Sequence, residues 1–117
     1  MAVTSTQSKA PASVVNVAVG RYLDTGTAAA ITITVGFKAR YVEVWNVTGA
    51  STGLICVKWF EGMAAASAIK MEDAGTSETA LTLITTLGIT VSDRSFVIGL
   101  DTDLNVTSEQ LSWMAIS

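Results

Sequence analysis

The chain has no histidine, one cysteine (Cys56) and one proline (Pro11) in 117 residues. Without histidine, the usual general base for a serine or cysteine nucleophile is missing, as is the commonest metal ligand. A lone cysteine forms no internal disulfide. Cys56 lies in the run Leu54-Ile55-Cys56-Val57, where a thiol packs as a small apolar group. Burial of that kind raises a thiol pKa and quiets its reactivity. Charge is scarce as well: 15% of residues are Asp, Glu, Lys or Arg, against a usual share of ~25%. The seven basic residues are scattered from Lys9 to Arg94, and the net charge is −3. Direct nucleic-acid binding is therefore not expected, because counterion release needs several grouped cations. No apolar run approaches the ~20 residues of a membrane-spanning helix. The opening segment, MAVTSTQSKAPAS, has no basic stretch followed by an apolar one, so it does not read as a secretory leader. Synthesis and folding in a cytoplasm are expected.

What is present is apolar and finely divided. Half the residues are hydrophobic, and Thr, Gly and Ser cut them into short alternating runs. Residues 1–12 carry no hydrophobic period and read as an extended N-terminal arm. Residues 13–117 read as one domain. Val14 to Val19 is a Val-rich strand ending at Gly20. Ala30 to Val35 alternates, with Ile31, Ile33 and Val35 on one face and Thr on the other. Tyr41 to Val47 alternates again, with Val42, Val44 and Asn46 against Tyr41, Glu43 and Trp45. Large side chains on both faces predict that both are partly covered. Leu54 to Phe60 is the most apolar run, which suggests a central strand. Residues 63–69 read as a loop or single turn, followed by a short strand at Ala68–Met71. Further strands are expected at Leu81–Thr85, Ile89–Val91, Ser95–Leu100 and Leu111–Ile116, with a turn at Asp101–Asp103 and extended chain at Leu104–Val106. Eight to ten short strands between Gly/Ser/Thr/Asp turns predict an all-β fold, an antiparallel β-sandwich or a jelly-roll-like barrel.

Candidates for chemistry are thin. Ser67 and Lys70 have the Ser-x-x-Lys spacing, but that motif works at the start of a helix with partner motifs that are missing here. Asp101-Thr102-Asp103-Leu104-Asn105 resembles the first half of a calcium loop, yet Val106 stands where glycine is required and Ser112 where glutamate is. An Asx-type turn, with the carboxylate bonding nearby backbone N–H groups, explains the same residues. The carboxylates, among them Glu43, Glu61, Asp93 and Glu109, mostly fall at turns and strand ends rather than as a facing pair. The reading is of a non-enzyme with no cofactor and no metal. Tyr41 and Trp45 share the face opposite Val42 and Val44, which makes them candidate interface residues. Lys9 and Pro11 in the arm are the other two.

Four stretches, taken in order, resemble a type of small bacteriophage virion protein. They are Gly36-Phe37-Lys38-Ala39-Arg40-Tyr41-Val42, Trp59-Phe60-Glu61-Gly62-Met63-Ala64, Phe96-Val97-Ile98-Gly99, and the terminal Trp113-Met114-Ala115. The resemblance covers roughly residues 30–117. It implies an all-β component of the virion: a capsid decoration (cement) protein, as a homotrimer, on the outside of the head and bridging major capsid protein subunits. It also suits a β-sandwich module of a tail fibre or tail spike that binds a host glycan or another tail protein.

Overall fold

The computed structural model describes residues 15–23, 28–48, 54–73 and 79–117. The expected arm, residues 1–12 with Lys9 and Pro11, lies outside the described residues. The described chain is all-β: β1 (Val17–Leu23), β2 (Ile31–Thr34), β3 (Tyr41–Asn46), β4 (Ile55–Phe60), β5 (Ser67–Asp73), β6 (Thr79–Val91), β7 (Ser95–Ile98) and β8 (Gln110–Ile116). They form a single sheet in the order β1-β8-β3-β4-β5-β6-β7-β2, and every neighbouring pair is antiparallel. The sheet curls into a half-barrel, so the expected sandwich or barrel takes the form of one sheet folded round its own core. β3 to β6 are a plain meander. Around it the pairings are nested: β8 returns between β1 and β3, and β7 pairs with β2.

The inner face follows the period of two. Val42 and Val44 of β3 align with Trp59 and Val57 of β4 and with Ala115 and Trp113 of β8. Ile31 pairs with Ile98, and Ile33 with Phe96. Phe96 is fully buried and meets Trp113 edge-on, with ring centroids 5.5 Å apart. β4, the most apolar run, is indeed an interior strand, with Ile55, Cys56 and Val57 all buried.

Three segments depart from expectation. β1 does not stop at Gly20 but runs through it to Leu23. Gly20 lies opposite Trp113, whose ring lies across it; a Cβ there would fall 2.4 Å from the indole Cζ2. The glycine is a gap for a ring, not a strand end. The runs at Leu81–Thr85 and Ile89–Val91 are one long strand, β6, which pairs with β5 in its first half and β7 in its second. Between them Leu87 has φ +62° and the register slips at Ser67/Ala68. That is how one strand turns the corner of a curled sheet. Leu104–Val106 is turn rather than extended chain. Asp101 Oδ1 accepts hydrogen bonds from the N–H groups of Asp103 (3.0 Å) and Leu104 (3.1 Å), and Asn105 N–H donates to the Asp101 carbonyl at 2.9 Å. This turn delivers Leu104 into the core with no exposure.

Candidate functional site

Side chains that leave the core on alternate positions must appear on the other face of the sheet. In most half-covered sheets that face is polar. Here it is not. Cross-strand register assembles three rows on the outer face. One runs Val17, Ile116, Tyr41, Phe60. The second runs Val19, Met114, Glu43, Lys58, Ile69, Leu83. The third runs Arg21, Ser112, Trp45, Cys56, Met71, Leu81. Val19 is 71% exposed, Leu81 67% and Leu83 64%, with Val17, Leu23 and Phe60 about half exposed or more. Val15, Val47 and Leu54 continue the same alternation at strand ends and are exposed too. Among the described residues, all the exposed large apolar ones except Leu87 and Leu100 thus belong to one face. The exposed apolar surface stops at β7 and β2, where Thr32, Thr34, Ser95 and the half-buried Val97 take the outer positions.

Tyr41 and Trp45, the two interface candidates within the described residues, both stand on this face and are half-buried. Glu43 lies between them. The Trp45 indole N–H donates to Glu43 Oε1 at 2.7 Å, and the Tyr41 ring packs on Phe60 with centroids 5.0 Å apart. Burial first, and then the Glu43 carboxylate, push the Tyr41 hydroxyl up to about 12. Next to Trp45, Ser112, Trp113, Met114 and Glu43 line an open depression of about 190 Å³. Sequence reasoning found Tyr41 and Trp45 because Val42 and Val44 already claimed the core face. It missed Val17, Val19, Leu81 and Leu83. Their alternation with small or polar residues looks the same whether they point in or out, and only the register places them outside.

No family model matches the chain, and no curated protein or solved structure matches it.

The second constellation lies inside. Lys70, on the inner side of β5, donates to both carboxylate oxygens of Asp101 (3.0 and 3.1 Å) and to Asp103 Oδ2 (2.7 Å). Its ammonium takes the place between the two carboxylates that a bound cation would need. Burial pulls the Lys70 pKa down, but the hydrogen bonds to Asp103 and Asp101 outweigh it and hold the group above the ordinary lysine value. Ser67 is engaged elsewhere: its hydroxyl donates to the Ala64 carbonyl at 2.6 Å. The two halves of the Ser-x-x-Lys spacing thus serve different partners. Beside the cluster, the Asn46 amide donates to the Leu104 carbonyl (3.0 Å) and to Glu109 Oε1 (3.1 Å), and the Asn105 amide to the Ala29 carbonyl (2.8 Å). These bonds pin the 101–109 loop to the sheet. Among the described residues, no group of three or more Asp, Glu or Cys is arranged to hold a metal.

Cys56 is buried, and its thiol is pushed up to about 11 by burial and then by Glu43, against an opposing pull from Lys58. At pH 8 the folded thiol therefore carries about 100-fold less thiolate than an unperturbed one. Alkylation by iodoacetamide at pH 8 is expected to be at least that much slower in the native chain than in urea. Comparable rates would show that the thiol is neither shielded nor shifted.

Proposed function

We propose that this chain is a structural subunit of a larger particle, working by being covered rather than by catalysis. The observation that carries the reading is the outer sheet face. Six neighbouring strands present Val, Leu, Met, Phe and Trp to solvent, whereas monomeric proteins rarely leave contiguous apolar patches beyond ~300–600 Å². The dispersed cations argue the same way. Arg40 pairs with Glu61 at 3.1 Å and Lys70 is buried against two aspartates, so two of the described cations are already engaged within the chain. Among the described residues no helix is long and apolar enough to cross a membrane.

The sequence resemblance narrows the particle to a bacteriophage virion and the role to capsid decoration. In this reading the protein sits on the outer surface of the head and bridges major capsid protein subunits, with the Lys9/Pro11 arm as one point of attachment. A ligand that binds only the assembled lattice stabilises it by RT ln(1 + [L]/Kd) per site, about 2.7 kcal/mol at a hundredfold excess over Kd. Repetition over a shell adds avidity.

Quantitative mass spectrometry of purified virions tests this. A copy number on the order of hundreds, as closed shell symmetry repeats a site, together with heads that burst at lower temperature when the protein is missing, supports decoration. A few copies, with lost adsorption to host cells and unchanged head stability, would place the protein in the tail instead. Absence from the virion would overturn the reading.

A further inference from the structure

We infer that the outer sheet face is covered by a second copy of this same chain. The inference rests on the structural-subunit reading and names the partner for its main surface.

The apolar face spans six strands, β1 to β6 through β8, β3, β4 and β5. At ~4.8 Å between strands, six strands cover about 29 Å, and three rows two residues apart cover about 20 Å along them. The first row reaches only β4, so the projected area is about 500 Å² before side-chain relief, the same order as the ~800 Å² per partner of a standard stable interface. The face is thus the size of a whole interface, too large for a short peptide and fitting for a like-sized surface.

The chain as a whole carries −3. On this face Arg21 and Lys58 balance Glu43 and Asp73, the last being the outward residue after Met71 on β5. A neutral face with both signs interspersed can meet its own copy without net like-charge repulsion, and a two-fold axis running between β3 and β4 sets Glu43 of each copy opposite Lys58 of the other. A strongly basic or acidic partner finds no complement there.

In the middle of the face Trp45, Met114 and Tyr41 are half-buried by their own neighbours, while the flanks β1 and β6 hold the most exposed side chains, Val19 and Leu83 at opposite ends of one row. Both flanks gain cover only if the occupant is as wide as the sheet itself.

The test is the mass of the full-length chain in solution, by size exclusion with light scattering, for the wild type and for V19E and L83E. Both positions are exposed, so the substitutions leave the core untouched, and unchanged circular dichroism and melting of the monomer verify that. The expected result is a wild-type particle of twice the 12.2 kDa chain mass that falls to monomer in V19E and in L83E. L100E, at an exposed residue off this face, should retain the wild-type mass. A monomeric wild type, an oligomer indifferent to V19E and L83E, or a monomer that binds lipid vesicles through the same residues would overturn the inference. A monomer present in hundreds of copies on the shell would sink this inference and leave the decoration reading standing. A dimer missing from virions would do the opposite.

Discussion

D101A is expected to cost about 3–5 kcal/mol of folding stability, because it leaves a buried charge without its partner. Asp101 and Lys70 side chains are each only 11% exposed, and the two meet at 3.0 Å. Removing the carboxylate strands the Lys70 ammonium with Asp103 alone, whose side chain is 31% exposed. It also frees the N–H groups of Asp103 and Leu104, which Asp101 Oδ1 now satisfies. Leu104 is then no longer delivered into the core by its turn. K70M should cost less, since the Asp101 carboxylate keeps its two backbone donors. D103A should cost about 1 kcal/mol or less, in line with its partial exposure. Urea melts followed by circular dichroism would rank the three, and a D101A loss below that of D103A would refute the account. The pH dependence has a definite sign. The Lys70 pKa is raised in the folded chain above the ordinary 10.5, so the stability it contributes is complete below pH 10.5 and is lost as pH rises through the folded value. The wild type should therefore lose more stability above pH 10.5 than K70M does.

G88A and G99A are expected to cost about 3 kcal/mol each, the upper range for an overpacked site. A Cβ on Gly88 would lie 2.5 Å from the Ser67 carbonyl oxygen, and one on Gly99 2.4 Å from that of Leu87. In both cases the obstacle is backbone, which cannot rotate away as a side chain can. The two glycines belong to one construction: Gly88 N–H donates to the Ala66 carbonyl and Gly99 N–H to the Gly88 carbonyl, each at 2.9 Å. This is the corner where β6 leaves β5 and joins β7. G62A provides the contrast. Nothing lies within 4 Å of a Cβ there, but φ is +100°, so only a backbone penalty of about 1–2 kcal/mol applies. Thermal melts in which G62A is the most damaging of the three would show that the corner is looser than its geometry implies.

Much of the fold was legible where alternation was clean and local. Ile31 and Ile33 face inward as their spacing demands, and Gly36 ends that stretch at φ +85°. Val42, Val44 and Asn46 are fully buried as a set. Asp101 makes the Asx-type turn that its sequence context suggested, although its main partner, Lys70, lies 31 residues away. The ammonium's position between two carboxylates depends on β5 and the 101–109 loop meeting across the core. Nothing in a local window of sequence reports such a meeting. Gly20 misled for a similar reason: its partner is Trp113, at the other end of the chain.

The sequence by itself determined that this is a β-protein of short antiparallel strands, and which side chains share a face within each strand, because a period of two is a local property. It also placed Tyr41 and Trp45 together, opposite the core. The tertiary structure decided which face of the outer strands is core and which is left uncovered. Local hydrophobicity does not identify the core face of these strands: β5 turns Lys70 inward and Ile69 and Met71 outward. The choice is made by long-range pairing, Val17 to Ile116 and Val19 to Met114 at one end, Ile69 to Leu83 at the other. A one-residue slip in any of these would exchange inside for outside.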